Sequence, residues 1–146
     1  MANDDIRWIQ RYDNYHRACT RLLAVTTSGR SSVDLTELER EGLTQRFEYT
    51  FELAWKVMQD YLRYKGYLFE AGPNGTMKQA LEDGLIQDQD AWRQMAKARN
   101  LLSHTYDEED ALAISEEIYS VFAPLLQQLD ESLKKEAEHI QYGYSV

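Results

Sequence analysis

Cysteine, proline and glycine are scarce in this sequence: one, two and seven residues among 146. The lone cysteine, Cys19, excludes an internal disulfide framework and a cysteine-based zinc site, and it suits a reducing cytosol. With so few prolines and glycines, little interrupts a long helix. There is no early basic-then-apolar segment of the signal-peptide kind, and no apolar run approaches the roughly 18 residues of a membrane span. A soluble, cytoplasmic chain with no membrane partner is therefore expected. Positive charge is also short: 16 Lys and Arg stand against 25 Asp and Glu, a formal charge of −9. Such a chain repels phosphate backbones at long range, which excludes bulk nucleic-acid binding. Any RNA or nucleotide site has to be a local basic exception.

What is present is apolar, aromatic and helical in period. A hydrophobic share of 43% with ten tyrosines supports a folded domain over 1–146 rather than disorder. Trp8, Tyr12, Tyr15, Cys19 and Leu22 recur at three- and four-residue steps behind the capping residues Asn3, Asp4 and Asp5. "TTSGRSS", residues 26 to 32, reads as a loop. A second helix starts near Asp34 or Thr36 and runs to Gly66 on Leu43, Phe47, Phe51, Ala54, Met58 and Leu62. After "EAGPNG", with Pro73 suited to a first helical position, "TMKQALED" forms a short helix that stops at Gly84. Asp88 or Asp90 caps a fourth helix through Ser103. The acids 107 to 110 open the last, which carries Ile114, Ile118, Val121, Leu125, Leu129 and Leu133 to about residue 137, with a bend at Pro124. Residues 138 to 146 read as a loose tail. The fold class is all-α, an antiparallel bundle of four to five helices.

The fourth helix holds the candidate functional residues. At about 100° per residue, with Arg99 at 0°, Ser103 falls near 40°, Asn100 near 100°, Arg93 near 120°, His104 near 140° and Lys97 near 160°. Ala91, Met95, Ala98, Leu101 and Leu102 take the other side as core. No acid lies between Trp92 and Tyr106, so this stripe is the local exception an acidic chain needs. Its spacing fits two readings. In the plain one it is a solvated face, His104 caps carbonyls, and Arg99 pairs with an acid elsewhere. In the other, arginine and histidine act together on a phosphodiester: the planar guanidinium holds phosphate and developing charge, and imidazole exchanges a proton near neutral pH. RNA supplies its own nucleophile, the 2′-OH. Glu48 and Glu52, four apart, either pair locally (Glu52 with Lys56) or receive Arg99 or His104 across the bundle. The aromatics Phe47, Tyr49, Phe51, Trp55, Tyr61 and Tyr64 could stack bases, but at helical spacing they are more often core and dimer contacts.

"RNLLSH", followed by Thr105 and Tyr106, is similar to the R-x4-H-x-Y motif of HEPN (higher eukaryotes and prokaryotes nucleotide-binding) proteins. "QRFEYTFELAWKVMQDYLRYKG", "MKQALEDGLI" and "RNLLSHTYDEE" resemble, in the same order, blocks of the nucleotidyltransferase substrate-binding branch. The resemblance covers about residues 40–122. It departs at "GPNG", residues 72 to 75, where relatives read more like Ser-Pro-Arg-Glu; a capping box is lost there and the start of the short helix is left open.

The resemblance implies a HEPN-like bundle that forms a homodimer and pairs with a cognate minimal nucleotidyltransferase (MNT) antitoxin. It implies a metal-independent ribonuclease toxin whose catalytic pair maps onto Arg99 and His104. Asn100 then orients the substrate or His104, Arg93 and Lys97 attract RNA, and Tyr106 is the tyrosine to which the partner transfers AMP. No metal and no cofactor belong to this chain, ATP being the partner's substrate. An alternative of another class is a non-catalytic subunit that presents a substrate to a nucleotidyltransferase. A third is a structural dimer.

Overall fold

In the computed structural model the backbone is described over residues 2–143 and the side chains over residues 7–140. The expected caps Asn3, Asp4 and Asp5 lie outside the described side chains. Among the described residues the chain forms α1 (Ala2–Thr26), α2 (Glu37–Tyr64), α3 (Pro73–Asp83), α4 (Gln89–Leu102), α5 (Glu108–Glu117) and α6 (Ala123–Gly143), and no strand. A 3-10 turn (Ser32–Asp34) precedes α2, and a π-helical stretch (Ile118–Phe122) joins α5 to α6 as one rod, giving a five-helix bundle.

Local chemistry sets the boundaries. Thr36, rather than Asp34, begins α2: its hydroxyl accepts the Glu39 N–H at 3.1 Å while the Glu39 carboxylate accepts the Thr36 N–H at 2.9 Å. Arg30 pairs with the same carboxylate, and that bond, with the Thr36 N–H, holds Glu39 down to about 2. At "GPNG" the missing box is replaced from outside, because Gln59 Oε1 accepts the Gly72 N–H at 2.8 Å just ahead of Pro73 at the first turn. Gly75 is there for room: a Cβ would stand 2.1 Å from the Glu70 carbonyl oxygen. Gly84 closes α3 in the left-handed region, as the sequence indicates. Asp88 caps α4 by accepting the Ala91 N–H at 3.2 Å.

Cross-helix contacts fix the directions. Arg11 pairs with Asp60 near one end of α1–α2, and Arg46 donates to the Arg21 carbonyl near the other, so the two run antiparallel. Tyr119 bonds Val25, Tyr15 bonds Leu126 and His16 meets Asp130, so the last rod is antiparallel to α1 as well. Phe47 of α2 stacks on Phe122 at 5.3 Å within a core that includes Trp8, Tyr15, Met58, Trp92 and Met95. No helix among the described residues is long and apolar enough to cross a membrane.

Two expectations change in the last rod. The π turn has the Ala123 N–H reaching back five residues to the Ile118 carbonyl, directly before Pro124, which has no N–H to offer. That wider turn moves the inward register by one residue. Phe122 and Leu126 are fully buried, whereas Val121 is 38% exposed and Leu125 sits at the core's edge. The rod also continues to Gly143, so residues 138–143, expected to be loose, are helical; 144–146 lie outside the described residues.

Candidate active site

α4 turns Trp92, Met95, Ala98 and Leu102 into the core, and this inward anchoring leaves Arg93, Lys97, Asn100 and His104 exposed together on the opposite face. None of the four has a carboxylate partner among the described residues. Two positions differ from the wheel. Trp92 belongs to the core, and Leu101, assigned to it, is 39% exposed at the stripe's border.

Arg99 lies between these two faces. Its Nη2 donates to Glu52 Oε2 of α2 at 3.3 Å, and its side chain is about one-third exposed. Glu52 also accepts the Trp55 indole N–H at 3.1 Å and sits 3.5 Å from Lys56 Nζ. The local pair and the cross-helix pair therefore coexist on one carboxylate. Burial raises the Glu48 carboxyl above its ordinary value, and the nearby Arg99 charge works against that rise. The Arg99 guanidinium is thus held along one edge with further donor capacity left; its Nε is buried without a partner.

His104 follows the end of α4. Ser103 caps the helix, its N–H bonding the Arg99 carbonyl at 3.2 Å and its hydroxyl the Asn100 carbonyl at 2.8 Å; the His104 N–H then bonds Leu101 at 3.1 Å. The helical course is kept for one more residue, so the imidazole stays on the exposed side with Asn100. Asp107 then caps α5 by accepting the Asp110 N–H at 2.8 Å, with Asp110 returning to the Asp107 N–H. The acids are a helix start, as read.

Tyr106 occupies a different place. It is half-buried and lines a pocket of about 130 Å³ with Glu37, Arg40, Glu41, Thr44 and Glu108. Along α2 this pocket is lined by Glu37, Arg40, Glu41 and Thr44 while Arg99 meets Glu52, which is at least about 12 Å further along the helix at about 1.5 Å per residue. The structure therefore groups Arg93, Lys97, Asn100, Arg99 and His104 on α4 and its end, and sets Tyr106 beside that group.

Arg40 is the residue the sequence reading passed over. Only 6% exposed, it donates to the Leu35 carbonyl at 3.0 Å and stands 3.6 Å from Glu108, tying the start of α2 to the start of α5 under Tyr106. Its spacing of three and seven from Leu43 and Phe47 was the available signal.

Comparison with known proteins bears on the family and the fold. The family described as nucleotidyltransferase substrate binding protein like matches residues 10–135. A probable ribonuclease HepT of Haemophilus influenzae is 35% identical over 81 residues, which cover 53% of this chain and 56% of that protein. The match thus spans about half the length of that curated relative. A crystal structure of a Thermus thermophilus protein shares the fold with a TM-score of 0.69 at 35% identity, over 79% of this chain and 94% of that one. The chain belongs to the nucleotidyltransferase substrate binding protein-like family, a HEPN-type helical domain.

Proposed function

We propose that this chain is the ribonuclease toxin of a two-component system whose other member is a nucleotidyltransferase antitoxin. The observation that carries the reading is the arrangement at the end of α4: Arg99 held on one edge by Glu52, with the exposed His104 and Asn100 on a face whose residues have no carboxylate partner among those described. The similarity to a probable ribonuclease HepT supports it.

In this mechanism His104 takes the proton from an RNA 2′-OH. The 2′ oxygen attacks the adjacent phosphorus, the bond from phosphorus to the 5′ oxygen breaks, and a 2′,3′-cyclic phosphate is left. The departing 5′ oxygen takes up a proton, from the equivalent group of a second copy or from water. Arg99 meets the charge that builds on the phosphoryl oxygens, where a planar fork with free donors is most effective. Asn100 orients the substrate, and Arg93 and Lys97 draw the backbone in. One arginine and one histidine make a sparse site, and a symmetric dimer doubles it.

Neutralisation falls to Tyr106. Its phenol oxygen attacks the α-phosphorus of ATP held by the partner, pyrophosphate leaves, and a proton is released. The attached AMP brings a negative phosphodiester beside the α4 stripe, where RNA phosphate has to pass. No metal or cofactor is assigned to this chain.

The test uses the purified chain in EDTA with a single-stranded RNA and its all-2′-deoxy counterpart. RNA fragments ending in 2′,3′-cyclic phosphate, with the deoxy strand intact, are expected. Cleavage of the deoxy strand contradicts the 2′-OH route. With the partner and ATP, intact mass should rise by AMP units in the parent and stay constant in Tyr106→Phe.

A further inference from the structure

Arg11, Arg17, Arg30, Arg40 and Arg99 each have a carboxylate partner in this acidic protein. Arg21 and Arg46, on facing turns of α1 and α2, have none among the described residues. They flank a groove of about 440 Å³ whose floor is Ala18 and Gly42 and whose walls include Gln45 and Tyr49; no carboxylate lines it. Arg46 Nη1 donates to the Arg21 carbonyl at 2.9 Å, which anchors that guanidinium across the groove and leaves its other donors free. Tyr49 is 60% exposed. The floor is open, since a Cβ at Gly42 would meet nothing within 4 Å.

The groove adjoins the site already described. Tyr49 lies one residue after Glu48, beside Arg99, and three before Glu52, which bonds it. On α2 its direction differs from that of Glu52 by about 60°. α1 and α4 therefore flank the exposed face of α2, and a chain crossing that face travels about one interhelical spacing, roughly 8–10 Å.

Resting on the ribonuclease reading, we propose that the α1–α2 groove binds the single-stranded RNA that flanks the cut, with a base stacked on Tyr49 and backbone phosphates held by Arg21 and Arg46. A positively charged groove beside an exposed aromatic ring is what unpaired RNA requires, because every base has a face to stack and every link carries a charge. A second copy of this chain is a poorer occupant, since a two-fold contact centred here sets arginines against arginines. The groove extends the RNA path beyond the α4 stripe and leaves the chemistry with Arg99 and His104.

The experiment measures binding without cleavage. The full-length His104→Ala protein is titrated into a labelled single-stranded RNA and followed by fluorescence anisotropy at two salt concentrations. Added to that background, Tyr49→Ala should weaken binding about tenfold and Tyr49→Trp should retain it. Arg21→Gln should lower the salt slope by about 0.7. Gly42→Leu should weaken binding by filling the floor with both arginines in place. If Tyr49→Ala, Arg21→Gln and Gly42→Leu, folded by circular dichroism, all stay within twofold of the parent affinity at an unchanged salt slope, the groove proposal is overturned. A change in their native mass at unaltered RNA affinity also overturns it, assigning the groove to a contact between copies. If the groove variants weaken RNA binding while the wild type cuts no RNA, the groove stands and the ribonuclease reading falls.

Discussion

Arg99, which the proposed reading makes a catalytic group, is held by a single ion pair among the described residues. Glu52 takes one Nη of the guanidinium at 3.3 Å and divides its charge with Lys56 and the Trp55 N–H. That contact fixes direction without saturating the donors. Arg99→Ala should lower kcat for RNA cleavage by about 10²–10³-fold, the scale for losing one donor to transition-state charge. Arg99→Lys should restore little, because a point charge cannot copy the fork. Single-turnover kinetics checks both. Glu48 has the opposite sign from a paired carboxylate: burial raises it, so the folded state disfavours its charge. The penalty applies wherever the unfolded carboxyl is ionised, pH 7 included. It disappears as pH falls through the raised folded value and below the ordinary carboxylate range. Glu48→Gln should therefore raise the urea midpoint at pH 7 and lose that gain by about pH 3, below the ordinary carboxylate range; a gain at about pH 3 equal to that at pH 7 contradicts this assignment.

At the scale of elements, what was legible in the sequence was what is local. The Thr36 box, the Asp88 cap, the Gly84 stop and the Asp107 start are each set by side chains within three residues of the boundary. The α4 stripe was legible for the same reason, since its exposure follows from helical period alone. What escaped depended on non-standard geometry or on a neighbour. A π turn cannot be read from a constant 100° period, which points Val121 inward where the chain places Phe122. Arg40 was missed because a charged side chain on an apolar spacing is normally solvated, and only the Leu35 carbonyl and Glu108 make its burial tolerable. The register shift has a direct consequence. Phe122→Ala should cost about 3–5 kcal/mol, and Val121→Ala no more than about 0.5 kcal/mol, by chemical denaturation. The reverse order would mean that α5 and α6 join as a regular α-helix. At the α5 start, Asp107→Ala should cost about 1 kcal/mol through loss of the cap.

On the scale of the whole molecule, α2 is the common support. Its 41–44 turn borders the Tyr106 pocket, Glu52 holds Arg99, and Arg46 and Tyr49 form one wall of the α1–α2 groove. In a chain with a formal charge of −9, Arg21, Arg46 and Arg93 stand without a carboxylate partner among the described residues, on the helices that carry the groove and the stripe with the exposed His104. Acid elsewhere disfavours indiscriminate contact with nucleic acid, so on the proposed reading RNA arrives where cations lack carboxylate partners. On the proposed reading, one bulky anionic group on Tyr106 would suffice as a switch for the same reason. The central claim is that His104 performs proton transfer on RNA from this surface. Its most direct test is the cleavage rate of one single-stranded RNA in EDTA by the wild type and by a His104→Ala protein with a matching circular dichroism spectrum. The account predicts a loss of at least about 100-fold, the lower end for a general acid–base group. A folded His104→Ala protein that still cuts within about tenfold of the wild type, well short of that lower end, would contradict it.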